Sequence, residues 1–318
     1  MKQAVIDLGT NTFHLLIVQK KPNAARPDST YETLFRESRP AKIGRAAGGG
    51  GGINQRLITD DAIGRALDVL TYFRQVLDEH QIDPASVAVF GTSAIRVAQN
   101  QQAFVDQVRT QTGLLVRVIS GDEEAGLIYR GVRASGALSD ETALIMDIGG
   151  GSVEFIIGSA DRLLWKQSFE IGGQRLMERF MGESDRLSPA AVGRLHSYFQ
   201  EQLLPLTNAI HQYHPSVLVG SSGTFDTLID MQYQHEQGVW PPAEQAAFEL
   251  PIAEFYRAYE LLLTRNHDER MAIPGMIELR VDMIVVAVVL IAFVLKTYGI
   301  NAIRVSTYAL KEGVLSGE

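Results

Sequence analysis

Short apolar runs alternate with longer amphipathic stretches along this chain, a pattern that predicts strands and helices in turn. Residues 4–8 and 13–19 are largely apolar and flank a small polar break at residues 9–12, which predicts two antiparallel strands joined by a tight turn. A helix is predicted from a Thr59 cap to about residue 80, strands at 86–90 and 116–119, and a helix from Ser120. Because strands that alternate with helices usually pair in parallel, the fold class is α/β with a partly parallel sheet.

The opening pattern occurs a second time, 140 residues further along the chain. An apolar strand ends in Asp, an apolar residue and Gly; a small hydroxyl residue follows, and a second apolar strand begins. Such a repeat indicates two similarly built domains, each presenting a glycine-rich turn. We predict a first domain at residues 1–125, to which residues 309–318 return, and a second at residues 126–308. The aligned pairs are Asp7 with Asp147, Gly9 with Gly149, Thr12 with Ser152, and His14 with Glu154.

The remaining segments are less regular. We expect the polar residues 21–40 to connect strands or to form a sheet edge, the glycine run 48–52 to be a flexible loop, and residues 234–251 to be a surface excursion. Residues 216–219 predict a strand that leads into a third small turn at 220–224, residues 303–306 predict a last strand, and residues 309–315 predict a short terminal helix.

The apolar run 283–295 requires a test for membrane insertion. It contains thirteen residues between Asp282 and Lys296, whereas a bilayer span needs about 20. Lys296 and Gly299 fit the last turn and the C-cap of a helix. The run therefore predicts a buried helix.

Composition narrows the function classes. The chain has no cysteine, which excludes disulfides and thiolate catalysis, and its net charge of −8 argues against a nucleic-acid partner. The seven histidines show no HExxH spacing, and neither a GxSxG motif nor a Walker A loop occurs. No basic-then-apolar leader precedes the first strand, so we expect a cytoplasmic location and no membrane partner. The negative net charge is still compatible with an anionic substrate, because a few arginines and backbone N–H groups can hold phosphate.

The two glycine-rich turns point to phosphate chemistry. Turns of glycine and small hydroxyl residues let backbone N–H groups converge on an oxyanion. Asp7 and Asp147 end apolar strands, where a carboxylate suits Mg²⁺ bridged to phosphate oxygens. Either turn alone would be better interpreted as a plain hairpin with a capping aspartate, but the duplication reverses that preference. The candidate phosphate-binding residues are Gly9, Thr10, Asn11, Thr12, Gly149, Gly150, Gly151, Ser152, Gly223 and Thr224, and the candidate metal ligands are Asp147, Glu154 and Asp7.

Three side chains are candidates for catalysis. Glu123 begins a helix beside Glu124, where an acidic residue equally well complements the helix dipole, so both interpretations stay open. Glu154 is either a metal or water ligand or a surface strand residue. Arg96 lies at a strand-to-helix turn and is either a bidentate phosphate ligand or a solvated helix residue. We expect most of a further set of arginines to face solvent or to form ion pairs, namely Arg130, Arg133, Arg175, Arg179 and Arg280.

Six segments, in order, resemble the exopolyphosphatase and guanosine pentaphosphate phosphatase family, which belongs to the superfamily of actin, sugar kinases and heat-shock ATPases. These segments are residues 6–14, 91–96, 119–125, 146–154, 220–224 and 310–315. The resemblance implies two ribonuclease-H-like domains of the actin-like ATPase type, with mixed sheets, flanking helices and an active site in the interdomain cleft. It further implies Mg²⁺-dependent hydrolysis of a terminal phosphoanhydride. The chain resembles the short two-domain form of the family, for which a homodimer is a further expectation.

The resemblance also assigns roles to individual residues. The family's catalytic glutamate falls on Glu123 and its substrate-side arginine on Arg96. Its acidic metal and water ligands fall on Asp147 and Glu154. The expected reaction is release of terminal orthophosphate from inorganic polyphosphate, with Glu123 directing a water molecule in line.

The chain departs from the family pattern at two positions near these residues. Val153 stands where threonine is usual, and Gly126 stands where an arginine often follows Glu-Glu-Ala. Guanosine pentaphosphate is the alternative substrate within the family. A kinase of the superfamily, a non-catalytic polyphosphate or nucleotide sensor, and an actin-like filament protein are the alternatives outside it.

Overall fold

The computed structural model describes residues 2–21, 31–45, 52–182 and 184–317. The chain divides into two compact units, Met1–Glu124 with Val314–Glu318, and Ala125–Gly313. Most of the predicted glycine loop, residues 48–51, lies outside the described residues, whereas Gly52 pairs with Leu57 in an isolated bridge.

The first unit is built on a five-stranded mixed sheet. The predicted opening hairpin is confirmed, since its two strands pair in antiparallel register from Lys2 opposite Gln19 to Leu8 opposite Phe13. The polar stretch before residue 40 forms the edge strand, which is antiparallel to the second strand, and the other two strands are parallel to the first. The strands are β1 (Lys2–Leu8), β2 (Thr12–Lys20), β3 (Tyr31–Pro40), β4 (Ala88–Gly91) and β5 (Val116–Val118), in the order β3-β2-β1-β4-β5.

The helices of this unit are α1 (Asp60–Glu79), α2 (Ser93–Arg96), α3 (Gln101–Thr112) and α4 (Gly121–Ala134), the last of which continues into the second unit. The two long helices α1 and α3 contribute apolar residues to the core of this unit, since such residues recur every three or four positions along them. The predicted Thr59 cap is confirmed, since its side chain accepts a hydrogen bond from the Ala62 N–H. The strand predicted at 86–90 begins later, at Ala88, because Pro84–Ser86 forms a 3₁₀ turn capped by Asp83.

The second unit repeats the first sheet and adds one strand. Its strands are β6 (Ala143–Ile148), β7 (Val153–Gly158), β8 (Leu163–Phe169), β9 (Val217–Ser221), β10 (Ala247–Leu250) and β11 (Ile303–Ser306). The order β8-β7-β6-β9-β11 has the same strand directions as β3-β2-β1-β4-β5, and β10 adds an antiparallel edge. Register irregularities at Ile17/Val18 and Ile157/Gly158 occupy equivalent positions. The sequence repeat is therefore a structural repeat.

The second unit contains a large apolar core with one helix at its centre. The helices are α5 (Gly173–Phe180), α6 (Pro189–Gln202), α7 (Leu204–Tyr213), α8 (Gly223–Gln237), α9 (Ile252–Thr264), α10 (His267–Met271), α11 (Met283–Tyr298) and α12 (Leu310–Leu315). The buried-helix prediction is confirmed, because every residue from Ile284 to Leu295 is buried and Gly299 caps the end in the left-handed region. Across the described ranges, no helix combines the length and apolar character needed to cross a membrane.

One predicted surface segment takes part in the core instead. Residues 234–251 include the end of α8 and the edge strand β10, in which Phe248 and Leu250 point inward. Four residues are too few for their alternation to be distinguished from a polar loop in the sequence.

Candidate functional site

The first glycine-rich turn connects β1 to β2 in the first unit. The Gly9 N–H donates to the Thr12 carbonyl oxygen at 3.2 Å, which closes the turn. A Cβ at position 9 would lie 2.8 Å from that oxygen, so the turn requires glycine there. Thr10, Asn11 and Thr12 are all buried. The turn thus combines a glycine with small polar side chains, and its role in anion binding stays a prediction.

Asp7 lies next to this turn, opposite His14 in the register of β1 and β2. The His14 Nδ1 and the Ser38 Oγ on the neighbouring β3 are 2.6 Å apart. The first unit therefore places an imidazole beside Asp7, where the second unit has a second carboxylate.

The two glutamates at the start of α4 have different surroundings. The Glu124 carboxylate is buried and accepts a hydrogen bond from Arg96 Nη1 at 2.6 Å. The Glu123 side chain is about one-third exposed, at 35%, and its carboxylate pairs with Arg117. The backbone N–H of Glu123 donates a hydrogen bond to the Ser120 hydroxyl at 3.1 Å. Glu123 is thus the more accessible of the two carboxylates, as a general base requires.

Arg96 was predicted as a phosphate ligand, and the structure shows it in an ion pair. Its side chain is 17% exposed, and Nη1 also lies 3.4 Å from the Ile119 carbonyl oxygen. A guanidinium group has five N–H donors in a planar fork, a geometry that suits phosphate as well as carboxylate.

The second glycine-rich turn reproduces the first. The Gly149 N–H donates to the Ser152 carbonyl oxygen at 3.0 Å, as Gly9 does to Thr12. A Cβ at position 149 would lie 3.1 Å from that oxygen. Ser152 is buried directly before β7. The backbone geometry is therefore set twice by the same short sequence pattern.

A row of polar side chains crosses the second sheet beside this turn. Asp147 of β6 is the register partner of Glu154 on β7 and of Ser221 on β9, and Glu154 is the partner of Ser168 on β8. Glu154 is 1% exposed, so it is not the surface strand residue that was the alternative interpretation. Its Oε1 accepts a hydrogen bond from the Ser168 hydroxyl at 2.6 Å.

Asp147 is held by two serines from the end of β9. The Ser222 hydroxyl lies 2.6 and 2.7 Å from the two carboxylate oxygens, and the Ser221 hydroxyl lies 3.2 Å from Oδ2. Ser222 has φ +72°, an unusual conformation for a residue with a side chain and one that is often found at functional sites. Burial raises the pKa of Asp147 above its ordinary value, and the serine hydrogen bonds act against that increase. A carboxylate kept in this environment is costly without a cation.

Gly223 and Thr224 begin α8 immediately after these serines. A Cβ at position 223 would lie 2.1 Å from Arg280 Nη2, so the guanidinium group packs directly on the glycine. Burial lowers the pKa of Arg280, whereas Asp226 and Asp147 raise it. Burial raises the pKa of Asp226 to about 6, and Arg280 opposes that shift. Arg280 is therefore a half-buried cation that packs against the start of α8 and interacts electrostatically with two acidic groups.

Asp230 lies one helical turn after Asp226 on α8. Its substitution tests whether burial of this carboxyl group lowers the stability of the protein. Burial raises its pKa to about 6, so the folded protein binds a proton more tightly than the unfolded chain, and stability decreases as the pH rises from about 4 to about 6. We expect Asp230→Asn to increase the free energy of unfolding at pH 7.5 by about 1–2 kcal/mol, with the gain disappearing near pH 4. Urea denaturation across this pH range, with exposed Asp161→Asn as the control, measures it. A gain that is constant with pH would contradict the assignment.

Gly126 lies on α4 at the position where the resemblance leads one to expect an arginine. A Cβ at this position would lie 3.2 Å from Lys166 Nζ. Lys166 is a half-buried residue of β8, two positions before Ser168. A cationic group therefore lies beside position 126, although α4 itself contributes only glycine there.

The carboxylates of the second unit fit a hard divalent cation. Mg²⁺ typically binds one or two carboxylates and completes its shell with water and phosphate oxygens, and Asp147 and Glu154 supply two adjacent carboxylates. Within the part of the chain that the structure describes, no group of three or more metal-ligating side chains occurs. Asp7, the third predicted ligand, belongs to the first unit, where His14 is its register partner.

The strand order and directions of each unit are those of a ribonuclease-H-like domain, and two such units in one chain define the actin-like ATPase fold. Residues 17–318 match the model of the Ppx/GppA phosphatase family. The chain therefore belongs to the Ppx/GppA phosphatase family.

Solved structures support both the fold and the family. An exopolyphosphatase from Cytophaga hutchinsonii is 46% identical, with a TM-score of 0.91 over 99% of this chain and 96% of that one. The Ppx/GppA family member from Aquifex aeolicus is 23% identical, with a TM-score of 0.77 over 99% of this chain and 96% of that one. At that identity, the second similarity supports the fold alone.

The contacts of several site residues could not be predicted from the sequence. Ser168 and Ser222 hold the two carboxylates, and Glu124 holds Arg96. Serines in strands and glutamates at helix starts are too common to be singled out. Asp147 and Glu154, which the sequence singled out, are register partners because both belong to one hairpin.

Proposed function

We propose that this protein is a magnesium-dependent exopolyphosphatase that releases terminal orthophosphate from inorganic polyphosphate. The observation that carries the proposal is the pair of buried carboxylates, Asp147 and Glu154, beside the glycine turn of residues 149–152. Oxygen ligands next to a turn of backbone N–H groups suit a metal-bound phosphoanhydride. The 46% identity to an exopolyphosphatase supports the same substrate class.

Each residue has a defined task in this proposal. The N–H groups of Gly149, Gly150 and Gly151 and the Ser152 hydroxyl bind the terminal phosphates, as do the N–H groups and hydroxyls of residues 9–12. Gly223 and Thr224 contact the phosphates next along the chain. Asp147, Glu154 and Asp7 are the residues that would hold the divalent cation, and Mg²⁺ would neutralise charge on the leaving phosphate.

Glu123 carries the proton transfer. Its carboxylate orients a water molecule and takes a proton from it as the water oxygen bonds to the terminal phosphorus. The bond from that phosphorus to the bridging oxygen breaks, and the shortened polyphosphate leaves with the electron pair. Arg96 donates to the equatorial oxygens, where charge is spread in the transition state. Glu124 keeps the guanidinium in place by the contact at 2.6 Å.

Phosphate release by the purified chain tests the proposal. The assay compares long polyphosphate, tripolyphosphate and guanosine pentaphosphate, each with and without Mg²⁺. Release from polyphosphate that requires Mg²⁺ is the expected result. Faster release from guanosine pentaphosphate would favour the alternative substrate, and binding without release would indicate a sensor. Cytoplasmic location and homodimer formation stay predictions of the sequence.

A further inference from the structure

The glycine turn of residues 149–152 is held in place by the segment that follows β8. We call residues 172–175 the supporting segment; it contains the first turn of α5. All three glycine carbonyls of the turn accept hydrogen bonds from it. The contacts are Gly173 N to Gly149 O at 2.9 Å, Gln174 N to Gly150 O at 2.8 Å, Gly172 N to Gly151 O at 3.2 Å, and Arg175 Nε to Gly151 O at 2.8 Å.

These bonds determine where the N–H groups of the turn point. In a trans peptide, the carbonyl of one residue and the N–H of the next point in opposite directions. Because the carbonyls of residues 149, 150 and 151 face the supporting segment, the N–H groups of residues 150, 151 and 152 point away from it. Successive N–H groups on one side of a turn form a concave anion-binding surface. The supporting segment thus sets the orientation of the candidate phosphate-binding atoms.

The backbones of the turn and the supporting segment are in direct contact. A Cβ at position 172 would lie 2.5 Å from the carbonyl atoms of Gly150 and from the carbonyl carbon of Gly151. No side chain fits between backbones at that distance. Gly172 is therefore required for the three carbonyl contacts to form together.

Arg175 also donates a hydrogen bond to the turn through its side chain. Its side chain is 13% exposed, and its Nη2 donates to Glu170 Oε2 at 2.8 Å while Nε donates to Gly151 O. Hydrogen bonds from a charged donor are about twice as strong as neutral ones. Since Glu170 neutralises the guanidinium, the effect of Arg175 on a phosphate would pass through the Gly151–Ser152 peptide.

The first unit shows the same arrangement around its own turn. The N–H groups of Ala41 and Lys42 donate to the Asn11 carbonyl oxygen at 2.9 Å, and the N–H of Gly44 donates to the Thr10 carbonyl oxygen at 3.0 Å. Thr10 and Asn11 correspond to Gly150 and Gly151 in the repeat, and residues 41–44 follow the third strand just as residues 172–175 do. Two occurrences with unrelated side chains indicate that support of the turn carbonyls is a property of the fold.

We propose that Arg175 is a positioning residue that fixes the Gly151–Ser152 peptide, so that its N–H is aimed at the terminal phosphate of the substrate. This inference rests on the proposed function, in which the turn of residues 149–152 binds that phosphate. Arg175 acts on the orientation of the donors and does not itself contact the substrate.

Arg179 offers a matched control for Arg175. It lies one turn later on the same helix, it is exposed, and its guanidinium packs over the Tyr198 ring at 4.4 Å. Arg175→Gln and Arg179→Gln remove the same charge from the same helix. A difference between the two variants therefore reports the contact with Gly151 and not the loss of net charge.

The experiment measures tripolyphosphate binding by calorimetry in a Glu123→Gln background, with and without Mg²⁺, and KM and kcat in the otherwise native chain. We expect Arg175→Gln to weaken binding by about tenfold, with KM rising in parallel, and Arg179→Gln to stay within about twofold. If Arg175 had only a structural role, Arg175→Gln would lower the melting temperature and leave the affinity of the folded protein for tripolyphosphate unchanged. Equal affinities in the two variants would overturn the proposal.

A second variant covers the case in which Arg175→Gln does not fold. Arg175→Lys keeps the charge but cannot bind Gly151 and Glu170 with a planar fork, so its affinity should still be several-fold below that of Arg179→Lys. Equal affinities of these two variants would likewise overturn the inference. If the Glu123→Gln protein itself binds no tripolyphosphate, the proposed function fails instead, and the two failures are therefore distinguishable.

Discussion

Glu123→Gln should leave the fold intact and reduce phosphate release from polyphosphate by a factor of about 10² or more. The amide keeps the size of the side chain and its place at the start of α4, but it cannot take a proton from water. The stability change should be small, about 0.3–1 kcal/mol, because the loss is limited to a helix-dipole contact and a partly exposed pair with Arg117. The measurement is kcat under saturating substrate and Mg²⁺, together with the melting temperature.

Asp122→Asn provides the matched control for that experiment. Asp122 precedes Glu123 in the same helical turn. Its replacement by asparagine removes the same charge from the same helix end. Its turnover should stay within about twofold of the native value, because the helix-dipole contribution of one acidic residue is small. Near-native turnover in Glu123→Gln, or an equal loss in both variants, would contradict the assignment of Glu123 as the base.

Asp147→Asn should have the second large effect, and activity and stability should change in opposite directions. We expect turnover to fall by about 10²–10³, because in the proposed site the cation would lose a charged ligand next to the phosphates. The melting temperature at neutral pH should rise, because the raised pKa of Asp147 shows that its charged form is destabilised by burial.

The pH dependence of that stability change has a defined sign. A carboxyl group whose pKa is higher in the folded protein than in the unfolded chain lowers stability as the pH rises, and an amide removes this dependence. The stabilisation by Asp147→Asn should therefore be largest at neutral pH and should disappear in acid. Calorimetric melting from pH 4 to pH 8 without metal measures it, with the exposed Asp140→Asn as control. Loss of both activity and stability would indicate a structural role instead.

The local pattern of the sequence was sufficient to predict the hairpins and their turns. Residues 4–19 and 143–157 alternate apolar strands with small polar breaks, and both fold as antiparallel pairs closed by an N–H to carbonyl bond between equivalent residues. These contacts join residues that are close in the chain, so composition and spacing determine them. The same holds for α1, where a Thr59 cap and a regular apolar face occur together.

Contacts between segments that are distant in the chain could not be predicted from the sequence. Arg96 and Glu124 are 28 positions apart and Ser222 and Asp147 are 75 apart, and each pair is brought together by parallel strand pairing. β10 has only four residues, and its pairing with β11, more than fifty residues later, assigns it to the sheet. The interpretation of Arg175 as a residue that faces solvent or forms an ion pair was incomplete for the same reason, since its contact with Gly151 spans 24 positions.

The sequence alone was enough to infer the duplicated strand-turn-strand unit, the α/β class, the family, and the carboxylates and glycines that are candidates for phosphate chemistry. These features are encoded in short segments, where backbone conformation follows from the residues present. The packed structure was needed to establish which glutamate of α4 is accessible, which serines hold Asp147 and Glu154, and which way the N–H groups of the second turn point. Each of these depends on burial and on hydrogen bonds that form only after separate strands and helices have packed, because a side chain's environment is set by neighbours that the chain brings in from afar.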